Sequence, residues 1–261
     1  MGANHAPMKT NSAARFLAVA LLGMSALVAG AATLFPALVG GQWGYVDKSG
    51  KLVINPQFER ADVFSEDLAP ARQKRWGYVN SSGKFAVNPQ FDEALPFREG
   101  LALVELDHRY GFIKDDGKYA INPQFDDARS FSEGLAPVKS NRRWGYSDKS
   151  GKVVINYQFD DARKFVGGLA PVRMNRRWGF IDTNGKMVVN QQFDDATEFS
   201  DGLACVKMSG KWGYVGKDGK YAINPQFDEA GPFANGLARV KLGRKVGYVN
   251  SSGKYVWNPT D

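Results

Sequence analysis

The sequence predicts an all-β tandem repeat array of about seven three-stranded β-meander units. An aromatic-Gly-aromatic tripeptide recurs at spacings of 33 residues once and then 34 residues five times. Aromatic and β-branched residues alternate on both sides of turns that contain Gly, which is typical of hairpin strands. A fixed period of this length indicates a repeat architecture before any single strand is assigned. The lead residues are Trp43, Trp76, Tyr110, Trp144, Trp178 and Trp212, with Val246 in the seventh copy.

The first 31 residues have the form of a secretory signal peptide. Lys9 and Arg15 precede an apolar run, and Ala29-Gly30-Ala31 offers a small-residue cleavage site. We therefore predict a signal peptide at Met1–Ala31 and a repeat domain at Ala32–Asp261. The alternative is an uncleaved anchor over residues 16–39, which are mostly apolar and long enough to span a bilayer as a helix. Either way we expect export: the repeats would be periplasmic, extracellular or membrane-anchored and facing out of the cytoplasm.

Each unit begins with a predicted hairpin and continues to a third strand. In the first unit the hairpin comprises residues 43–47, the turn 48–50 and residues 51–54. The third strand is predicted at residues 68–72. The intervening Asn-Pro-Gln-Phe stretch is read as a loop, because proline has no N–H to donate to a ladder. The seventh copy lacks a third strand, and residues 34–39 are expected to supply a matching strand at the other end.

The repeated aromatic residues are expected to form the core between units. One unit of 34 residues cannot bury enough apolar surface alone, whereas stacked neighbours present matching stripes. The predicted repeat core is Trp43, Trp76, Tyr110, Trp144, Trp178 and Trp212. An open β-solenoid or superhelix is favoured, since three strands fit the unit length. The alternative is a seven-bladed β-propeller, whose blades usually have four strands and about 40 to 50 residues.

These columns resemble the WG-repeat family of bacterial β-rich repeats. The resemblance rests on WGYVDKSGKLVINPQF, followed by an acidic pair and F-S-E-G-L-A, and it covers residues 43–261. Tyr110 and Val246 depart from the lead Trp, and Tyr157 and Gln191 replace the Pro of the Asn-Pro-Gln-Phe stretch. The resemblance implies an exported or envelope-associated array without an established activity, and it supplies no catalytic residues.

The residue inventory argues against several catalytic classes. Only His5 and His108 are present, so histidine-dependent triads and metal sites would rest on a single residue of the mature chain. We predict no enzyme activity, no catalytic residues, no metal site and no cofactor. The single cysteine, Cys205, is read as structural. Recurrent acidic pairs such as Asp126-Asp127 suggest turn caps or ion pairs, with a calcium ladder or a glycosidase carboxylate pair as the sharper alternative.

A basic column precedes the lead residues and is the candidate site. In a stacked array it would form a positive stripe suited to a polyanion, although the simpler reading, which we favour, is a set of solvated turn residues balanced by the acidic pairs. The possible anion-binding stripe comprises Lys74, Arg75, Arg109, Arg142, Arg143, Arg176, Arg177, Lys211, Arg244 and Lys245. Nucleic acid is a disfavoured partner because the chain is expected to be exported.

The leading functional hypothesis is a non-catalytic binding or scaffolding protein of the bacterial envelope or exterior that binds a protein or a glycan. One alternative is a carbohydrate-binding or carbohydrate-acting protein. In that alternative, aromatic residues would stack on sugar rings: Tyr119, Tyr157, Tyr221 and Tyr255. The other alternative is a purely structural envelope protein. Contact with a membrane is expected only through the N-terminal segment, if that segment is not cleaved.

Overall fold

A computed structural model describes residues 33–260, which fold into seven antiparallel β-sheets joined by turns. The all-β tandem array predicted from the sequence is confirmed. The predicted signal peptide at Met1–Ala31 lies outside the described residues and stays a prediction. Within residues 33–260 we find no helix of the length and apolarity needed to cross a membrane.

The strands follow one another along each sheet in chain order. The first sheet contains β1 (Phe35–Val39), β2 (Gln42–Val46) and β3 (Leu52–Phe58). The next three sheets contain β4 (Arg60–Ala61), β5 (Ala69–Gln73), β6 (Arg75–Val79) and β7 (Phe85–Phe91); β8 (Glu93–Ala94), β9 (Ala102–Leu106), β10 (Arg109–Ile113) and β11 (Tyr119–Phe125); and β12 (Asp127–Ala128), β13 (Ala136–Ser140), β14 (Arg143–Ser147) and β15 (Val153–Phe159). The last three contain β16 (Asp161–Ala162), β17 (Leu169–Met174), β18 (Arg177–Asp182) and β19 (Met187–Phe193); β20 (Asp195–Ser200), β21 (Leu203–Met208), β22 (Lys211–Val215) and β23 (Tyr221–Phe227); and β24 (Glu229–Ala230), β25 (Leu237–Leu242), β26 (Lys245–Asn250) and β27 (Tyr255–Thr260).

Six sheets have a fourth strand that the sequence analysis did not predict. It is two residues long in five sheets and begins at the second residue of the acidic pair in all but the second sheet, where it begins at Arg60. In β12, for example, Asp127 lies opposite Lys139. Each sheet therefore combines the end of one sequence repeat with the hairpin of the next. The strand expected before the first Trp-Gly is confirmed, because β1 pairs with β2 from Phe35↔Val46 to Val39↔Gln42.

The Asn-Pro-Gln-Phe stretch is strand rather than loop, which corrects the sequence prediction. It lies in the last strand of each sheet, where one side needs no ladder partner and proline is tolerated. The pairing is irregular there: Gly44 alone lies opposite Asn55, Pro56 and Gln57, between the register pairs Trp43↔Phe58 and Tyr45↔Ile54. A proline at a bulge of an edge strand also discourages pairing with other chains.

Apolar clusters join each sheet to the next. The first junction contains Tyr45, Ile54 and Phe58 of the first sheet, together with Ala69 and Ala71 of the second. The Tyr45 hydroxyl donates to the Asp62 carbonyl at 2.9 Å, so the buried polar atom is satisfied. Equivalent clusters form the other five junctions. Among residues 33–260 no apolar cluster joins the first sheet to the seventh. Six of the sheets have the four strands expected of propeller blades, so the seven-bladed β-propeller stays open as the alternative to the open array.

Candidate anion-binding surface

The predicted basic stripe lies at the hairpin turn that follows the Leu-Ala strand of each sheet. Asn141 and Arg142 form a two-residue turn with φ of 48° and 67°, between the paired residues Ser140 and Arg143. Positive φ at both central residues is the geometry of a type I′ hairpin, which matches the natural strand twist. The second sheet has one turn residue, Lys74, with φ of 67°, which accounts for the single 33-residue spacing.

Half of the stripe is paired with the first carboxylate of the acidic pairs. Arg75 lies 3.5 Å from Asp92, and Lys211 lies 2.5 Å from Asp228. The same contact is made by Arg109 with Asp126, Arg143 with Asp160 and Arg177 with Asp194. We call these five basic residues the clamped bases. The side chains are about half exposed, so each pair adds little to stability by itself.

The same carboxylates also hold the turn of the following sheet. Asp126 accepts the backbone N–H of Asn141 at 2.8 Å, and Asp228 accepts that of Gly243 at 2.6 Å. The hydrogen bond from Lys211, followed by that from Gly243, lowers the pKa of the Asp228 carboxyl below 3.8. Asp92 and Asp160 make the same two kinds of contact, so four of these five carboxylates tie the turn of one sheet to the turn of the next. For the first residue of each acidic pair, this arrangement agrees with the interpretation of the pairs as turn caps or ion pairs.

Four basic residues of the stripe stand at the turn tips beyond these clamps. They are exposed and form no side-chain ion pair within residues 33–260. We call them the tip cations: Lys74, Arg142, Arg176 and Arg244. Arg142 and Arg176 occupy the same position in consecutive sheets, whereas His108 and Gly210 occupy it in the sheets on either side. The structure thus divides the predicted stripe into clamped bases and tip cations, with Lys245 as a further exposed member.

The second acidic residues form another set of contacts, over the lead Trp side chains. Arg129 reaches Asp161 of the next sheet at 2.9 Å and lies 4.6 Å from the Trp144 ring centre. Arg163 repeats this with Asp195 at 3.0 Å and with Trp178 at 4.5 Å. A guanidinium over an indole face is stabilised by the ring quadrupole.

The lead residues predicted as repeat core are all at least half-buried. Trp144 and Trp178 are buried, and both lie beneath the arginine contacts described above. The others are half-buried and pack against the apolar clusters or lie beside them: Trp43, Trp76, Tyr110 and Trp212.

The third sheet departs from this pattern. Glu93 lies directly opposite Glu105, where three of the other sheets pair an acidic residue with Lys and one pairs it with Arg. Burial raises the pKa of Glu93, and the neighbouring Glu105 carboxylate raises it further. Among residues 33–260, no group of three or more His, Cys, Asp or Glu side chains has an arrangement that could hold a metal ion.

A carboxylate column in the F-S-E-G-L-A stretch was missed by the sequence analysis. Glu99 accepts the backbone N–H groups of Glu133 and Gly134, at 2.6 and 3.0 Å. Glu133 makes the same contacts with Gly167 and Gly168 at 2.6 and 2.8 Å. The signal was present, because an acidic residue occupies the first position of this turn in four of the six copies: Glu66, Glu99, Glu133 and Asp201. These bonds stack successive turns on one another, and a surface cavity of about 500 Å³ lies beside them.

The tyrosines proposed to stack on sugars are engaged with neighbouring rings. Tyr119 meets Phe91 edge-on at 6.4 Å between ring centres, and Tyr221 meets Phe193 at 6.2 Å. Tyr255 contacts Phe227 in the same manner at 6.5 Å. Tyr157 is half-buried and packs against an apolar cluster. Tyr119 and Tyr221 keep exposed surface, yet each ring already packs between sheets.

Comparison with known proteins places the chain in a family. A profile described as WG containing repeat matches residues 43–74, 76–107, 110–143, 144–178, 178–212 and 212–245. The chain belongs to the WG-repeat family. Its members are repeat proteins, and the resemblance inferred from the tripeptide columns is thereby confirmed. No curated protein matches the WG-repeat chain.

Two solved structures are similar to the WG-repeat chain in fold. A crystal structure of a eukaryotic initiation factor aligns with a TM-score of 0.61 and 11% identity, covering 87% of this chain and 74% of that one. The Hsv2p protein of Kluyveromyces lactis aligns with a TM-score of 0.51 and 7% identity, covering 88% and 94%. At such low identity, these likenesses concern the succession of sheets alone.

Proposed function

We propose that this WG-repeat chain is a non-catalytic, exported binding protein whose tip cations hold an extended anionic polymer such as an acidic glycan. The observation that carries the proposal is the series of carboxylate clamps. Asp126 accepts from Arg109 and from the Asn141 N–H, and Asp160 accepts from Arg143 and, at 3.5 Å, from the Arg176 N–H, so Arg142 and Arg176 project from a pre-ordered row. Pre-ordering reduces the entropy lost when a ligand binds.

The charge distribution favours an anionic ligand over a neutral one. The clamped bases are neutralised by the first acidic residues, and the tip cations are left as the outermost charges of the turns. Without the two basic residues of the signal-like segment, Lys9 and Arg15, the chain has 32 basic and 27 acidic residues, a formal net charge of +5. Its basic excess supports electrostatic attraction of a polyanion, and the signal-like segment at Met1–Ala31 supports a location in the envelope or outside the cell.

The test compares the binding of dextran sulfate and neutral dextran to the purified chain. Binding of dextran sulfate is expected at low salt and is expected to disappear at ~0.5 M salt, where surface charges are screened. The Arg142→Ala/Arg176→Ala variant should bind about thirtyfold more weakly at low salt, since each basic residue contributes about 1 kcal/mol near a polyanionic surface.

A charge-matched control distinguishes binding by the ordered row of tip cations from binding by the net positive charge of the chain. Lys152 and Lys186 are exposed and lie in the turn at the other end of each Trp-Gly strand. The Lys152→Ala/Lys186→Ala variant loses the same charge and should keep most of the affinity. Equal losses in both variants would refute a defined row. Salt-resistant binding of dextran would instead favour aromatic stacking, and no binding to either polymer would favour a purely structural role.

A further inference from the structure

The outward faces of the first and last sheets carry residues that are buried at every internal junction. Trp257 occupies the position of Ile54, Val87, Ile121, Ile155, Val189 and Ile223, as the shared register with the Trp-Gly strand shows. Those six side chains are buried, whereas Trp257 is 60% exposed. Tyr248 is 41% exposed, while its six equivalents are fully buried. The seventh sheet thus presents one half of a junction.

The first sheet presents the other half. Phe35 occupies a position held by alanine in the other six sheets and is 45% exposed, whereas those alanines are buried. A side-chain carbon placed at Gly50 would have nothing within 4 Å. The same carbon at Gly83, the equivalent glycine of the second sheet, would lie 2.6 Å from Ile54 of the preceding sheet. At the equivalent glycines of the other five sheets, the carbon would lie 2.9 to 3.3 Å from the matching Val or Ile of the preceding sheet. Within residues 33–260, therefore, no side chain docks at Gly50 as Ile54 does at Gly83.

The geometry points to head-to-tail association of copies of this chain, in which the first sheet of one copy stacks on the seventh sheet of another. The contact would continue the series of six internal junctions, with Gly50 of one copy over Trp257 of the next. Such a contact uses different surfaces on the two partners, so it leaves a free face at each end and can extend into a filament.

Phe35 and Trp257 also supply apolar volume at the ends of the array. At an internal junction this volume comes from the segment that connects the two sheets. At internal junctions a Phe of the connecting segment covers the tyrosine; Phe165, for example, lies 4.9 Å from Tyr146 between ring centres. No connecting segment crosses between two separate copies. Phe is larger than Ala and Trp is larger than Ile, so the exchanges at positions 35 and 257 add apolar volume beside Tyr248, where that cover is needed.

Sedimentation velocity over a concentration series tests the association. The wild-type chain is expected to form species larger than a monomer as concentration rises. Phe35→Asp and Trp257→Asp should each weaken association at least about a hundredfold, since either would bury an unpaired carboxylate. Both side chains are substantially exposed, so the variants should keep the wild-type circular dichroism spectrum. Val154→Asp is the matched control, because Val154 is a 42% exposed aliphatic residue in the fourth sheet.

Mixing the two variants gives the decisive result. Phe35→Asp keeps an intact seventh sheet and Trp257→Asp keeps an intact first sheet, so an equal mixture should form heterodimers and nothing larger. A monomeric wild-type chain, or a mixture that stays monomeric, would overturn the proposal. Loss of association in only one variant would indicate a twofold contact between like faces, which also overturns it. Association through residues 1–31, which both variants retain, would persist in each variant alone and refute the assignment. The Arg142→Ala/Arg176→Ala variant should associate as wild type, which separates this proposal from anion binding.

Discussion

The glycine of the Trp-Gly pair is expected to be intolerant of even one methyl group. In the fourth sheet a side-chain carbon at Gly145 would lie 2.4 Å from the Ile155 carbonyl oxygen, 2.9 Å from the Asn156 carbonyl carbon and 3.0 Å from its oxygen. All three atoms belong to the backbone of the edge strand, where it bulges across the glycine. Gly145→Ala therefore requires the bulge to move rather than a side chain to rotate.

The expected loss of stability exceeds that of an ordinary glycine replacement. Overpacking a well-packed site costs about 1 to 3 kcal/mol, and a backbone obstacle places Gly145→Ala at the upper end, near 3 kcal/mol. Gly134→Ala serves as the control, because Gly134 has φ of 79° and open space around it. Its cost is the left-handed backbone strain alone, about 1 kcal/mol. Against a typical total of about 5 to 15 kcal/mol, the difference is measurable.

Urea unfolding followed by tryptophan fluorescence measures both variants, with Trp144 adjacent to the substituted glycine. A fall in midpoint with an unchanged slope reports lost stability rather than a changed unfolded state. We expect the midpoint of Gly145→Ala to lie clearly below that of Gly134→Ala. A midpoint for Gly145→Ala at or above that of Gly134→Ala would refute the assignment of the glycine column to close backbone approach.

Two further predictions concern titratable groups. Hydrogen bonding from Ser150 lowers the pKa of Asp148 below 3.8, so its contribution to stability is present above pH 3.8 and is lost as pH falls through the lower folded value. Asp148→Asn should keep the turn, since Asn80 makes the same contacts in its own unit. The urea midpoint of this variant should fall less steeply than that of the wild type as pH is lowered below 3.8. An equally steep fall in both would contradict the prediction. Burial raises the pKa of the Cys205 thiol to about 11, so the folded chain should resist alkylation at pH 8 and react once unfolded in urea; fast reaction of the folded chain would contradict the buried placement.

The period of the sequence predicted the array because each column of the repeat serves one structural purpose. The Trp-Gly hairpin, the Leu-Ala strand and the additional N-terminal strand were all recognisable from alternation and turn chemistry. The Asn-Pro-Gln-Phe stretch was misread, since the proline rule does not distinguish a loop from a bulge on an edge strand. The short strand at the acidic pair was missed because two residues carry no alternation.

The candidate surface, too, was predicted from the sequence only in part. The basic residues before each lead aromatic were found from sequence alone, since their spacing follows the period. Sequence could not separate Arg142 from Arg143, because neighbouring arginines differ only in which one meets Asp160, the residue that follows the neighbouring strand β15. The Glu99 column was visible as a repeated acidic residue, but its purpose depends on the next turn, 34 residues later in the chain.

Sequence by itself determined the β-class, the repeat length, the turn positions and the family, because these depend on local periodicity and on Gly, Pro and aromatic placement. Only the tertiary structure decided which charges are neutralised, how the glycine meets the bulge, and which faces of the first and seventh sheets stay exposed. The physical reason is that these properties arise between units, from contacts whose partners lie a full repeat apart and whose geometry is set by how the sheets stack.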